Sequence, residues 1–530
     1  MGNPTQHSAF TETGFKSTVD ALCEEIRTLY LADNRPWIVG YSGGKDSTAT
    51  LQLAWKAIEG IEPSKRTKIV HVVSTDTLVE NPVVASWVTL SLNRMLEAAK
   101  DKQLPFSPNR LTPAVQDSFW VNLIGKGYPT PRHKFRWCTE RLKIRPSNNF
   151  IMSVVKEAGE AILLLGARKQ ESQARAKVMA RNEKNRVLDR LSPNSTLPGC
   201  SIYTPVEDWS NDDIWTYLTQ SENPWGHDNK ELLGMYAGAS PDGECPLVVD
   251  SNTPSCGDSR FGCWVCTLVE KDKSMSAMIQ NDQEKRWMKP MLDLRNALDF
   301  RTMEDPSHPL RAQIDSVKLD YKTLGVDEKD HALRDFRRMR GNVSFMKNGD
   351  PVPGPYTRQS REAWLKMLLE AQTIARELGP ESIKNLELIT LPELHEIRRI
   401  WVLEKHELED SLPQIYQTTT GSVFPGLSMD DSMGLKSKDF DKLKQICGDD
   451  IGTYELIREL IGVENSVKFV SKRSKLLDDF EKTFKKYAFA NRKDASSFFE
   501  EQLQFDKNDD KKFGIVREDA TEENLEPPLG

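Results

Sequence analysis

The stretch Trp37-Ile38-Val39-Gly40-Tyr41-Ser42-Gly43-Gly44-Lys45-Asp46-Ser47 decides how this chain folds. Trp37-Ile38-Val39 reads as a strand, and after the glycine pair the positions Leu51, Ala54, Trp55 and Ile58 are apolar at helical spacing. Strand, loop and helix therefore follow one another. The two glycines let the backbone turn so that successive N–H groups converge on an anion, and the helix N-terminus adds its dipole. Ser42 and Ser47 offer hydroxyls and Lys45 a cation. The loop is not a Walker A motif: Val39 stands where its first glycine would be, and Asp46 replaces the Ser or Thr that would hold magnesium. A phosphate cradle is expected, and a kinase or GTPase is disfavoured.

Working outward, Ile69-Val70-His71-Val72-Val73 and Ala161-Ile162-Leu163-Leu164-Leu165 are further buried-strand runs, so the first part of the chain reads as a parallel α/β sheet. Asp76, at the end of the second run, lies where such sheets place ligand contacts, and is expected to touch ribose or magnesium, or else to sit in a structural ion pair. Trp209 and Trp215 are expected to pack rather than to stack on a base. Beyond about residue 270 the pattern turns helical. Ser360 to Leu378 is one amphipathic helix stopped by Gly379-Pro380, and Thr390-Leu391-Pro392-Glu393 is a capping box opening another. The expected organisation is an α/β domain with a cysteine cluster over 1–275, a helical domain over 276–413, a linker over 414–437, and a charged helical segment with a disordered acidic tail over 438–530.

Composition narrows the function classes. The chain of 530 residues is 38% hydrophobic and 28% charged, and no apolar run is long enough to span a bilayer, so no membrane association is expected. Met1 to Lys16 shows no secretory signal, which points to the cytoplasm and to reduced thiols. A net charge of -7 excludes electrostatic coating of nucleic acid over the whole surface. It leaves room for a local basic groove, and the chain does turn basic between Arg132 and Arg190.

Four of the eight cysteines, Cys245, Cys256, Cys263 and Cys266, crowd into one stretch with ten, six and two residues between them. Cys263-Trp264-Val265-Cys266 brings two thiolates to one metal from a tight turn; spacing leaves zinc and iron–sulfur both open. Arg168 and Arg175 suit a bidentate grip on phosphate. Cys138 stands among Arg136, Arg141 and Lys143, cations that would favour a reactive thiolate.

The Ser42–Ser47 loop resembles the PP-loop of the ATP pyrophosphatases. Three segments narrow the likeness to the phosphoadenylylsulfate reductase branch: Trp137-Cys138-Thr139-Glu140-Arg141-Leu142-Lys143-Ile144-Arg145-Pro146, Gly166-Ala167-Arg168-Lys169-Gln170-Glu171-Ser172-Gln173-Ala174-Arg175, and Pro205 to Trp215. With the cysteine quartet and Gly354-Pro355-Tyr356-Thr357, the order is similar to that of the DndC-like proteins of bacterial DNA phosphorothioation. The resemblance implies an adenine nucleotide α-hydrolase-like fold that binds ATP and Mg2+ at Ser42, Gly43, Gly44, Lys45, Asp46, Ser47 and Asp76. It further implies catalysis by Lys45, Asp46 and Cys138, substrate contacts from Arg168, Glu171 and Arg175, and a 4Fe-4S cluster on Cys245, Cys256, Cys263 and Cys266. DNA would be the substrate, its backbone phosphate adenylated and then sulfurated, and a cysteine desulfurase and other phosphorothioation proteins the partners. Related adenylylsulfate reductases carry two adjacent cysteines in the Cys138 segment, where Trp137 stands here. An adenylylsulfate or phosphoadenylylsulfate reductase and a metal-stapled, nucleotide-binding scaffold are the alternatives.

Overall fold

The computed structural model describes residues 8–171, 173–183, 186, 190–194, 196–239, 261–316, 326–346, 350–426, 437–448, 450–467, 475–489 and 491–501. Its centre is a six-stranded sheet of β1 (Trp37–Gly40), β2 (Val70–Thr75), β3 (Phe106–Leu111), β4 (Ala161–Leu164), β5 (Ser192–Pro193) and β6 (Cys200–Tyr203), in the order β3-β2-β1-β4-β6-β5. All neighbours pair in parallel except β5 with β6. The strands are near-continuously apolar because both faces are covered. Alternate residues Trp37, Val39, Val70, Val72, Ile162 and Leu164 enter one core with α1 (Phe15–Leu31), α2 (Lys45–Glu59) and α3 (Pro82–Asp101). Ile38, Val73, Ala161 and Leu163 enter the opposite core with α4 (Arg145–Ala158). The three strands expected from sequence are β1, β2 and β4. Strand order reverses between β1 and β4, and the crevice beyond their carboxyl ends is where open α/β sheets bind ligands.

The helical part begins with α5 (Gln173–Glu183), α6 (Asn211–Gln220) and α7 (Asn229–Gly238) around the sheet, and continues through α8 (Lys273–Asn281), α9 (Lys289–Leu298), α10 (Arg311–Ser316), α11 (Arg358–Leu378), α12 (Leu391–Arg399) and α13 (Leu412–Thr420). The box at Thr390 forms as expected, with Thr390 Oγ1 accepting from Glu393 N and the Glu393 carboxylate from Thr390 N. The expected linker is corrected at its start. Gln414 to Thr420 continues α13, which Pro413 opens in its first turn and Gly421 ends in a left-handed conformation.

The expected boundary at 275 is not a packing boundary either. Residues 115–144, inserted between β3 and α4, send Phe119, Trp120, Val121, Leu123, Ile124, Trp137 and Leu142 into the same core as α9, α11 and α12. Trp120 Nε1 donates to Leu388 O at 2.7 Å, and Trp401 Nε1 donates to Ile124 O at 2.9 Å. The helical region thus holds a segment of the α/β part, the one that carries Cys138. Trp401 is 2% exposed, so Trp401→Ala removes a large buried side chain and leaves the Ile124 carbonyl unpaired. A loss of about 3–5 kcal/mol is expected from the denaturant midpoint; a shift below about 1 kcal/mol, the size of a surface change, would show that the two parts do not stabilise each other.

Candidate functional site: a phosphate loop beside a cysteine turn

At the switch point the β1–α2 loop and the β4 loop are in van der Waals contact. Gly43 has φ +75°, a conformation that favours glycine, and a side chain there would also collide with Val88. A Cβ on Gly166 would lie 2.6 Å from Asp46 O, 2.7 Å from Asp46 C and 2.9 Å from Ser47 N, so only glycine lets the β4 loop approach the start of α2. Ser42 Oγ and Ser47 Oγ lie 3.1 Å apart, and Ser47 Oγ lies 3.0 Å from Gly44 O, which locks the loop from inside.

The acidic and basic side chains of the loop are already engaged. Asp46 Oδ1 accepts from Arg168 Nε at 2.5 Å, and its Oδ2 lies 3.3 Å from Lys45 Nζ. Arg168 is 5% exposed; its Nη1 reaches Trp209 O at 3.4 Å and its backbone N donates to Glu171 at 3.0 Å. Glu171 also pairs with Arg175, whose side chain is nearly half exposed. In the structure the Arg168 guanidinium holds Asp46, and Trp209 belongs to the hydrophobic core, as expected for it. Arg168→Ala is expected to release Asp46 and weaken Mg–ATP binding by about 1–3 kcal/mol, the range for a severed buried hydrogen bond, with iron content unchanged. Titration with ATP and an iron assay on one preparation check both halves.

No sequence motif singles out Tyr236. From α7 its hydroxyl accepts from Lys45 N at 3.4 Å, and Lys45 Nζ lies 5.5 Å from its ring centroid. Burial holds its phenol well above the usual range, so it stays neutral. Phe261 meets the Tyr236 ring edge-on at 4.6 Å, two residues before Cys263. The phosphate loop and the cysteine turn are thus joined through two aromatic rings.

The cysteine turn is firmly built. Cys266 N donates to Cys263 O at 3.0 Å, and Trp264 and Val265 between them are buried in the helical core. Arg295, paired with Asp299 at 3.0 Å where both are 1% exposed, donates to Cys266 O from Nε and Nη2 at 3.1 and 2.9 Å. On the sheet side Trp264 N donates to Val79 O at 3.0 Å, and Thr77 Oγ1 lies 3.4 Å from Cys263 Sγ. Cys138 adjoins this pair, at the start of a π-helical turn (Thr139–Ile144) that runs into α4. Burial, with the Cys263 and Cys266 thiols beside it, pushes Cys138 up to about 11. The expected stabilisation of its thiolate by neighbouring cations fails for Arg136 and Arg141, because Arg136 turns to His133, and Arg141 to Asn122, Tyr128 and Asp117. Lys143 does face the cysteines: Cys263 raises its ammonium most, against burial, with Glu80 also contributing.

The Asp76 carboxylate pairs with Arg110 of β3 at 2.7 Å and accepts from Leu78 N at 2.9 Å, the structural ion pair of the two roles expected for it. Among the described residues no group of three or more His, Cys, Asp or Glu side chains has metal-holding geometry. Cys245 and Cys256 lie outside the described residues. The two thiols of the Cys263–Cys266 turn, with Cys138 near them, are soft donors that would suit a thiophilic centre such as an iron–sulfur cluster or zinc once further ligands join them. No helix among the described residues is long and apolar enough to cross a membrane.

An uncharacterized protein of Methanocaldococcus jannaschii is 26% identical over 264 residues, covering 50% of this chain and 42% of that protein. The chain therefore spans about two fifths of the length of that curated relative. Residues 36–227 match the phosphoadenosine phosphosulfate reductase domain family. That interval runs from the start of β1 to just before α7, taking in the whole sheet, the phosphate loop, Cys138 and Arg168, and ending before the cysteine turn. Over residues 36–227 the chain is thus similar to the phosphoadenosine phosphosulfate reductase domain.

Proposed function

We propose that the chain is an ATP pyrophosphatase that adenylates a DNA backbone phosphate so that sulfur can replace one of its oxygens. The observation that carries this reading is the contact of Gly166 with the backbone of Asp46 and Ser47. It fixes the N–H groups at the start of α2 beside Lys45 and Asp46, as a departing polyanion requires. A non-bridging phosphate oxygen attacks the α-phosphorus of ATP, the α–β bridging bond breaks, and pyrophosphate leaves. Lys45 and the loop N–H groups take up its charge, and Asp46, which Arg168 and Lys45 hold, would take Mg2+. Sulfur at the sulfide level then displaces AMP, which departs with the former phosphate oxygen. Cys263 and Cys266 with Cys245 and Cys256, or with Cys138 in place of one of the last two, would hold a 4Fe-4S cluster, which when bound supplies a redox-active, sulfide-bearing group. A cysteine desulfurase is the sulfur source the reading calls for, its persulfide sulfur brought to the sulfide level by two electrons from a thiol reductant, with the other phosphorothioation proteins as partners.

The test is product analysis of anaerobically purified protein with Mg–ATP, an oligonucleotide acceptor and sulfide. AMP and pyrophosphate in equal amounts are expected. ADP and phosphate, or no turnover with any acceptor, would overturn the reading; sulfite released from adenylylsulfate without ATP consumption would select the reductase.

A further inference from the structure

Immediately before Cys138 the chain makes a tight turn in which Phe135 N donates to Arg132 O at 2.8 Å and Arg132 N to Phe135 O at 3.3 Å. Both ends are anchored in the protein interior. Arg132 is 7% exposed and reaches Asp330 at 2.7 Å, the Pro131 carbonyl accepts from Thr267 Oγ1 at 2.7 Å, and Thr130 N donates to Tyr356 OH at 3.3 Å. On the far side Trp137 Nε1 donates to Pro129 O at 2.9 Å, and its ring stacks on Phe119 at 5.3 Å. Burial raises Asp330, but Arg132 and Arg334 more than offset it and hold its carboxyl below the usual range, so this anchor is charged at neutral pH.

Between the anchors His133, Lys134, Phe135 and Arg136 are all exposed. A solvated basic tip would explain the cations alone. Phe135 stands among them with its ring 36% exposed, 6.2 Å from Tyr128, on a turn held by buried contacts at both ends. Cations flanking a presented ring are the pattern that takes a strand whose bases are free to stack. The turn also stands at the rim of the cysteine site, two residues from Cys138.

We infer that the 132–136 turn is a reader for unpaired DNA: Phe135 stacks on a base extruded or unpaired next to the reacting linkage, while Lys134 and Arg136 neutralise the phosphates on either side. This rests on the DNA reading above and adds which strand state is taken. The full chain, purified without air, is titrated into fluorescent 20-nucleotide single strands and the matching duplex, and anisotropy is followed across a salt series. Phe135→Leu is expected to weaken single-strand binding about tenfold, the range for loss of one base–aromatic stack, and to spare duplex binding. Phe135→Tyr should restore it. The double variant Lys134→Ala/Arg136→Ala should weaken both and flatten the single-strand salt slope by about 1.4, two phosphates' worth. Parent protein that binds single strands while all three variants bind them equally well would overturn the turn's role and leave the DNA reading standing. Equal losses on duplex and single strand in Phe135→Leu would overturn stacking. A parent that binds neither DNA would overturn the DNA reading and this inference with it.

Discussion

Gly166→Val is expected to abolish pyrophosphate release from ATP, by about a thousandfold or more, without unfolding the chain. The Cβ of any substituent would press on Asp46 O, Asp46 C and Ser47 N, all backbone atoms at the first turn of α2, so no side-chain rotation relieves the clash. The turn must move away from the β4 loop, and donors displaced by about 1 Å lose roughly a hundredfold, before the further loss of about 2–4 kcal/mol for each phosphate contact that is broken. Overpacking itself costs about 1–3 kcal/mol of stability, which a large core absorbs. Gly234→Ala on α7, where a Cβ meets nothing within 4 Å, is the matched control. Parent-rate pyrophosphate release from Gly166→Val protein with an unchanged circular dichroism spectrum would sink the phosphate-cradle assignment.

Cys138→Ser is expected to lose most of its iron when purified without air, from about four irons per chain, the content of one cluster. Cys138 lies beside Cys263 and Cys266, where a thiol would be a ligand of the proposed cluster and serine a poor one for a soft centre. Cys263→Ser and Cys266→Ser should lose iron as well, with a fall in stability, since a metal centre tying separate segments together contributes folding free energy. Cys138→Ser protein that keeps its iron and acid-labile sulfide but fails to sulfurate DNA would return Cys138 to a sulfur-carrying role. One zinc per chain and no sulfide in the parent would defeat the cluster altogether.

Much of this was legible in the sequence because it is written locally. β1, β2 and β4 are apolar on both faces, and the Ser42–Ser47 loop with its helix reads directly from glycine chemistry and spacing. β3 was not, because Phe106-Ser107-Pro108-Asn109-Arg110-Leu111 is an edge strand, where proline is tolerated and little apolar surface is needed. Non-local relations were hidden in the same way. Nothing near Lys45 announces Tyr236, nothing near Arg168 says that its guanidinium is spent on Asp46, and Cys138 meets Cys263 only once the chain has closed. The helical stop at Gly379 and the box at Thr390 were readable; that the helices close on residues 115–144 was not, since Trp120 and Trp401 look like ordinary core residues.

That embrace also sets an order of birth. Trp120 finds its Leu388 carbonyl 268 residues later, so at about 5–20 residues per second on the ribosome the segment bearing Cys138 waits on the order of tens of seconds for its support. The sheet strands end at Tyr203, and the phosphate loop needs nothing beyond α7. The sheet and the Ser42–Ser47 loop are therefore complete in a nascent chain whose Cys138 segment still lacks its support, and a cluster of the kind proposed would be inserted late in maturation.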